Sequence, residues 1–231
     1  MSEWPFAEVK RLIFVAAHPD DLETIACGTI YQMTQRGVEV IEVLCTDGNI
    51  GTHDTKKFTR PSLARTRRRE TRAAAKWLGV KDVVFLGYND GELEPSLELR
   101  AQIAQQYRIH QPDTLMTFDP YVDGHPDHRA AGRAATDAVI PASMPFYKPR
   151  QLRNGVQPAA LKQTFVFGGR PREGQAIHVD VTDLWDVRMQ ALRAHHSQFG
   201  RPDFKFDWLE NWMSKQGEAI GVKYAEIFRK L

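Results

Sequence analysis

Cysteine is scarce in this chain of 231 residues, with Cys27 and Cys45 as its only two. Both lie inside apolar runs, which suits buried thiols in a reducing compartment better than a disulfide framework, although the two could still form one bridge. Long hydrophobic runs are also missing, since the longest apolar stretch, Leu12–Ala17, is far shorter than a membrane span. We therefore expect a cytoplasmic protein that does not insert into membranes.

An excess of one charge is absent as well. The 31 Lys and Arg against 29 Asp and Glu leave a formal net charge of +2. This balance cannot create the one-signed field that nucleic acids or anionic membranes exploit, so we expect no nucleic-acid partner. Residues 1–10 carry Glu3 and Glu8 without an apolar core, unlike a secretory signal.

Repeats and low-complexity linkers are not evident either. Hydrophobic residues make up 42% of the chain and charged residues 26%, close to the averages of globular proteins. The length suffices for a full α/β core but leaves little for a second domain. We predict a single domain over residues 1–231, with its core at about 10–140 and further strands and helices at 160–231.

Short apolar runs alternate with helical patterns over the first 140 residues. The runs are bounded by turn residues and predict buried strands at Leu12–Ala17, Val38–Cys45, Val83–Leu86 and Thr114–Phe118. Helical spacing predicts helices from Leu22 to near Gly37, from Pro61 to Leu78 and from Ser96 to His110. This order is typical of an α/β fold with a mostly parallel, doubly wound sheet and helices on both faces.

The pattern changes after residue 140. An irregular loop is indicated by Pro141, Pro145, Pro149 and Pro158. Further elements are predicted as strands at Thr164–Phe167 and Ala176–Val181 and as a helix at Val187–Phe199. We expect the tail from Asp207 to be helical and to pack Trp208, Trp212 and Tyr224.

Histidines and aspartates follow the first and fourth predicted strands. These motifs are His18-Pro19-Asp20-Asp21 and His125-Pro126-Asp127-His128. Parallel strands end at one rim of a sheet, where sites form, and catalytic zinc commonly takes His and carboxylate ligands. In a single motif, an aspartate that merely caps the following helix is the better interpretation. Two such motifs at one rim favour a metal site.

The same motifs resemble those of the PIG-L (LmbE-like) zinc-dependent N-deacetylase family. The resemblance extends over nearly the whole chain, through Gly28-Thr29, Thr46-Asp47-Gly48, Ala194-His195-His196-Ser197-Gln198 and Tyr224-Ala225-Glu226-Ile227-Phe228. It implies a Rossmann-like fold, one Zn²⁺ per chain, and hydrolysis of an N-acetyl group on an N-acetylglucosamine-type sugar or glycoconjugate. Related bacterial proteins often form trimers or hexamers, so a homo-oligomer is one alternative and the oligomeric state stays open.

The resemblance further implies roles for individual residues. The metal ligands are matched by His18, Asp21 and His128. Asp20 matches the general base, and His125 matches the histidine that assists the tetrahedral intermediate, with Asp127 beside it as an orienting partner. Two positions depart from the family's pattern, because Asn49 stands where many bacterial members have Glu and Cys27 replaces a frequent Gly. The resemblance therefore does not imply which group is attached to the N-acetylated sugar.

Two further residues are candidates for substrate binding. Arg67 lies on the inward stripe of its predicted helix, where it either contacts substrate, as the resemblance implies, or forms a buried ion pair with Glu70. Asp90 follows the third strand and either binds a sugar hydroxyl or shapes the turn before Gly91. His195, near a predicted helix end, either lines the pocket, contacts another subunit or only interacts with the helix dipole, and the last is the preferred interpretation.

Two other functions fit parts of this pattern. A metal-dependent phosphoesterase uses similar loops to hold two metals about 3.5–4 Å apart, and a non-catalytic nucleotide-binding module uses the same sheet topology. Against the second, the first strand–helix turn has no glycine-rich cradle and carries two acids that repel phosphate.

Overall fold

The computed structural model describes residues 4–121, 124–168, 175–201 and 203–231. Its strands are β1 (Arg11–Ala16), β2 (Glu39–Thr46), β3 (Asp82–Tyr88), β4 (Thr114–Phe118), β5 (Gln163–Phe167), β6 (Ile177–Asp180) and β7 (Ala225–Lys230). Its helices are α1 (Asp21–Ile25), α2 (Cys27–Gln35), α3 (Arg60–Leu78), α4 (Leu97–His110), α5 (Pro126–Ser143), α6 (Trp185–Ala194), α7 (His196–Phe199) and α8 (Asp207–Glu218).

The strands form one sheet in the order β3-β2-β1-β4-β5-β7-β6. The first five strands in this order run parallel, and β7 runs antiparallel to both of its neighbours. The predicted α/β class with a mostly parallel, doubly wound sheet is confirmed. The chain turns from one half of the sheet to the other between β1 and β4, and such a switch point is where open α/β sheets bind ligands.

The centre of the sheet is covered on both faces. Every residue of β4 is buried, as is every residue of β1 except the first. Because successive side chains of a strand point to opposite faces, helices must pack on each side, which explains why these strands are continuous apolar runs.

The first helix is broken at Ala26, although the sequence predicts one continuous helix from Leu22. The backbone N–H groups of Gly28 and Thr29, at the start of α2, donate to the carboxylate of Glu226 at 2.8 Å each. A carboxylate is stabilised at a helix N-terminus by these free N–H groups and by the helix dipole. A strand almost two hundred positions away in the chain therefore sets where α2 begins.

Arg188 of α6 completes this junction. Its guanidinium donates to Glu226 and to the carbonyl oxygens of Glu23 and Thr24, which lie in α1. Arg188 and Glu226 are both buried, and a buried charge is tolerated only with such complete partners. The pair thus fixes α1 and α2 against the C-terminal part of the chain.

The tail differs from its prediction. Residues 207–218 form α8 as expected, but 225–230 form β7, which inserts between β5 and β6. The helical prediction is wrong there because β7 satisfies its backbone by pairing with distant strands, a contact that local spacing does not reveal. Tyr224 is buried, whereas Trp208 is 53% exposed, so the expected packing of Trp208 is wrong as well.

Two further boundaries differ from the sequence prediction. The helix predicted at Val187–Phe199 is split at His195 into α6 and α7, and α5 continues through Pro141 to Ser143. None of the helices in the described part of the chain combines the length and the hydropathy needed to span a bilayer.

Gly132 marks the closest approach of α5 to β4, and its substitution tests that packing. A Cβ atom at this position would lie 2.4 Å from the carbonyl oxygen of Phe118. Alanine improves helix propensity by about 1 kcal/mol, but overpacking against rigid backbone costs about 1–3 kcal/mol. We expect Gly132→Ala to lower the free energy of unfolding, measured by urea denaturation.

Gly124→Ala is the matched control, because a Cβ there meets no atom within 4 Å in the described residues. If the free energy of unfolding of Gly132→Ala equals or exceeds that of Gly124→Ala, the close packing of α5 on β4 is contradicted.

Candidate active site

The two predicted motifs meet at the rim above β1 and β4. The turn that contains His18 follows β1, and the start of α5, which contains His128, follows the loop after β4. The ring centroid of His18 lies 5.1 Å from that of His128 and 4.8 Å from that of His125. Residues that are more than one hundred positions apart in the chain thus form one cluster.

Three side chains converge on the Nδ1 side of His18. His18 Nδ1 lies 3.2 Å from His128 Nε2, His128 Nε2 lies 3.4 Å from Asp21 Oδ1, and His18 Nδ1 lies 3.8 Å from Asp21 Oδ2. Tetrahedral zinc with ligands at 2.0–2.2 Å holds them about 3.3–3.6 Å apart. The spacings of His128 Nε2 to His18 Nδ1 and to Asp21 Oδ1 come close to this range. The contact of His18 is with the other oxygen of Asp21, so one oxygen would have to turn toward both nitrogens to complete a zinc site.

Asp21 is fixed in this cluster by its own turn. Its Oδ2 accepts hydrogen bonds from the N–H groups of Ala17 at 3.0 Å and His18 at 2.8 Å. Burial opposes the charge of the carboxylate, but His128 and His18 outweigh this and lower the pKa of Asp21 to about 2. Asp21 is therefore an anion directed at the cluster, and neither Asp20 nor Asp127 makes a side-chain capping bond.

The Nε2 side of His18 faces two other carboxylates. Nε2 lies 3.1 Å from Asp127 Oδ2 and 3.2 Å from Asp90 Oδ1. Burial disfavours a charge on His18, but hydrogen bonds to Asp127 and Asp90 raise its pKa to about 10. His18, Asp90 and Asp127 are also close enough to hold a metal ion, as are His18, His125 and His128. The ring thus has one candidate metal position on each side.

The contacts of Asp127 differ from the predicted arrangement. Its carboxylate accepts from the N–H groups of Gly91 at 2.7 Å and Leu93 at 3.4 Å in addition to His18. Only its backbone N–H contacts His125, donating to Nδ1 at 3.2 Å. Asp127 therefore contacts His125 through its backbone and not through its carboxylate, because the turn after β3 directs this carboxylate to His18.

Asp90 belongs to the same group. The side chain is buried, and its contact with His18 lowers the pKa of the carboxyl although burial opposes this. The carboxylate faces a histidine within the protein, an arrangement that neither the sugar-binding nor the turn-shaping interpretation anticipates.

Arg67 contacts Asp20, and this contact corrects the predicted pairing with Glu70. Its Nη2 donates to Asp20 Oδ2 at 2.8 Å. Glu70 instead accepts from the N–H of Ser197 at 2.8 Å and from its hydroxyl at 2.6 Å. The inward position of Arg67 on α3 is as predicted, since only 3% of the residue is exposed.

His195 is a residue that sequence reasoning missed. It is completely buried, and its Nε2 lies 3.4 Å from Glu23 Oε2, which is also completely buried. Burial raises the pKa of the Asp20 carboxyl, and the charges of Arg67 and His195 oppose this rise. His195 does end α6, as predicted, and its burial beside Glu23 is what the preferred dipole interpretation did not anticipate.

His125 lies on the open side of the cluster. The residue as a whole is exposed. The partial burial of its ring, together with the neighbouring His18 and His128, lowers the pKa of His125. Since Nδ1 accepts from the Asp127 N–H, the hydrogen of the neutral ring is assigned to Nε2.

Comparison with known proteins identifies the family. The family model described as GlcNAc-PI de-N-acetylase (PIG-L) matches residues 13–139, more than half of the chain. The chain belongs to the PIG-L family. The resemblance drawn from the motifs is confirmed, and the matched range contains both histidine motifs.

Several relatives and a solved structure extend the match beyond this range. Diacetylchitobiose deacetylase of Thermococcus kodakarensis is 33% identical, covering 97% of this chain and 84% of that protein. A probable N-acetyl-alpha-D-glucosaminyl L-malate deacetylase of Bacillus anthracis is 32% identical, covering 82% of each chain. The solved N,N'-diacetylchitobiose deacetylase of Pyrococcus horikoshii, in complex with an inhibitor, has a TM-score of 0.88 at 34% identity, covering 98% of this chain and 85% of that one.

All three PIG-L relatives are named deacetylases. Neither the phosphoesterase nor the nucleotide-binding interpretation draws support from them.

Proposed function

We propose that the protein is a zinc-dependent hydrolase that removes the acetyl group from an N-acetylglucosamine-type sugar or glycoconjugate. The observation that carries this proposal is the cluster of His18 Nδ1, Asp21 and His128 Nε2, with atoms 3.2–3.8 Å apart. The relatives named above differ in the rest of their substrates but share an N-acetylated glucosamine. That shared part defines the substrate class.

The Nδ1 side of His18 suits a catalytic metal better than the Nε2 side. On the Nε2 side, Asp127 is 1% exposed and already accepts two backbone hydrogen bonds. When a metal displaces the hydrogen of Nδ1, the hydrogen on Nε2 still satisfies that carboxylate and the Nδ1 lone pair binds the metal, which is the usual arrangement around metal-binding histidines. His128, which lies on the Nδ1 side, also has the exposed His125 as a neighbour, with ring centroids 4.9 Å apart, and this supports access for a substrate.

The chemistry that zinc supplies at such a site is activation of water near neutral pH and polarisation of an amide carbonyl. In our proposal Asp20 accepts the proton of the attacking water at Oδ1, since Arg67 engages Oδ2. His125 donates a hydrogen bond from Nε2 to the oxyanion that develops on the acetamide. Asp20 then returns the proton to the departing nitrogen, so that the products are acetate and a free amine.

Removal of a ligand and removal of the base have different expected signatures. His128→Ala should lose both bound zinc and turnover. Asp20→Asn should keep stoichiometric zinc but lose about 10²–10⁴-fold in kcat, because only proton transfer is removed. Elemental analysis gives the metal content, and acetate release from N,N'-diacetylchitobiose gives the rate.

His110→Ala is the control for these variants. His110 ends α4 shortly before β4, at the amino ends of the strands and thus opposite the rim with the cluster, so its loss should leave both readouts unchanged. Normal turnover by Asp20→Asn would show that the base is wrong. A zinc-loaded wild type that releases no acetate from a panel of N-acetylated sugars contradicts the proposed function.

A second prediction concerns the carboxylate that holds His18. Asp127→Asn should weaken zinc binding by about 10–100-fold, because loss of the charge behind a metal-binding histidine disturbs both its tautomer and its orientation. Competition with a chromogenic chelator measures the affinity.

Asp137→Asn is the matched control for Asp127→Asn. It lies on the same helix but pairs with Arg100 and Arg133, away from the cluster. Equal zinc affinities in the two variants contradict the role of Asp127.

A further inference from the structure

Four polar side chains beside Asp90 are joined into a closed ring of hydrogen bonds, the rim network. Arg60 Nη2 donates to Glu92 Oε1 at 2.8 Å and to Asn49 Oδ1 at 3.3 Å. Asn49 Nδ2 donates to Asn89 Oδ1 at 2.9 Å, and Asn89 Nδ2 donates to Glu92 Oε2 at 2.9 Å. These residues belong to the loop after β2, the start of α3 and the turn after β3. The network therefore ties three separate segments together.

The direction of every bond in the rim network follows from the chemistry of its members. Arg60 can only donate, and the Glu92 carboxylate can only accept. Asn89 must therefore direct its amide nitrogen to Glu92, which leaves its amide oxygen to accept from Asn49. Asn49 in turn presents its nitrogen to Asn89 and its oxygen to Arg60. Only a side chain that carries both a donor and an acceptor closes the ring at position 49.

The amide oxygen of Asn49 also holds the backbone of Asp90. It accepts a hydrogen bond from the Asp90 N–H at 3.2 Å. The N–H of the next residue, Gly91, donates to Asp127 Oδ2 at 2.7 Å. Because these two bonds fix consecutive peptide groups, they restrict the direction in which the Asp90 side chain points.

Apolar packing brings the same segments together. A Cβ atom on Gly91 would lie 2.8 Å from Ile50 Cδ1, so the side chain that follows Asn49 already fills the space beside the turn. The side chains of Arg60 and Glu92 are 45% and 56% exposed, and an ion pair so exposed stabilises little by itself. Asn49 is half-buried. The contact between the segments therefore depends mainly on Asn49.

We infer that Asn49 is a positioning residue, which holds the turn after β3 so that Asp90 Oδ1 lies 3.2 Å from Nε2 of His18. The inference rests on the proposed function, in which His18 is a zinc ligand. A carboxylate at the far nitrogen of a metal-binding histidine fixes the orientation of the ring. Without the amide of Asn49 the turn loosens, and Asp127 alone holds that side of the ring. The affinity for zinc should then fall.

A double-mutant cycle on zinc affinity, measured by competition with a chromogenic chelator, tests this inference. Asn49→Leu removes the donor and the acceptor at similar volume and should weaken zinc binding by about 10-fold, the lower end of the effect of groups behind metal ligands. In the Asp90→Ala background the same substitution should change the affinity by less than about two-fold, because Asn49 acts through Asp90.

Asn49→Asp is the rescue variant. A carboxylate oxygen still accepts from the Asp90 N–H and from Arg60, so zinc affinity should stay within about three-fold of wild type although the donor to Asn89 is lost. Asn211→Leu is the matched control, because Asn211 is an exposed residue of α8, which packs on β6 and β7, and its loss should leave the affinity unchanged. If Asn49→Leu does not fold, Asn49→Ala replaces it with the same expectation.

The outcomes separate this inference from the proposed function. Wild-type zinc affinity in Asn49→Leu, equal losses in both backgrounds, or a loss in Asn49→Asp as large as that in Asn49→Leu overturns the positioning role alone. A wild type that binds zinc but releases no acetate overturns the proposed function, and the zinc-affinity cycle still decides the role of Asn49. A wild type that binds no zinc overturns both proposals.

Discussion

The structure of the site depends on His18, because each of its two ring nitrogens faces a different set of side chains. On one side Asp127 and Asp90 face Nε2, and on the other Asp21 and His128 face Nδ1. The first pair fixes the ring through Nε2, and the second supplies the side chains that we propose as metal ligands together with Nδ1. Three separate segments supply these groups, after β1, after β3 and at the start of α5. Their meeting requires the switch point between β1 and β4.

The C-terminal part of the chain is as necessary to this arrangement as the matched family range. Glu226 and Arg188 lie beyond residue 139. Glu226 accepts hydrogen bonds at the start of α2, and Arg188 donates to carbonyl oxygens near the end of α1, the helix that begins at Asp21. His195 extends this buried region to Glu23. Behind the site, burial and the neighbouring carboxylates of Glu23, Asp21 and Asp20 raise the pKa of Glu42. Asp20 therefore stands in front of a dense set of buried titratable side chains.

The sequence predicted the features that are local in the chain. The apolar runs predicted β1 to β4, with small differences at the strand ends. The His18 and His128 motifs could be assigned to one rim because parallel strands end together. The partner of Arg67, the contacts of Asp127, the break before α2 and strand β7 were not predicted. Each depends on a contact between distant segments, such as that of Gly28 with Glu226, which no local period encodes. The metal and catalytic roles of individual residues remain predictions.

We propose that the metal lies on the Nδ1 side of His18. Anomalous X-ray diffraction at the zinc edge, from crystals of the zinc-loaded protein, locates the metal. We expect one anomalous peak within about 2.0–2.2 Å of His18 Nδ1, His128 Nε2 and an oxygen of Asp21. A peak held by His18 Nε2, Asp90 and Asp127 would contradict it, because the carboxylates assigned to orienting the ring would then be the ligands.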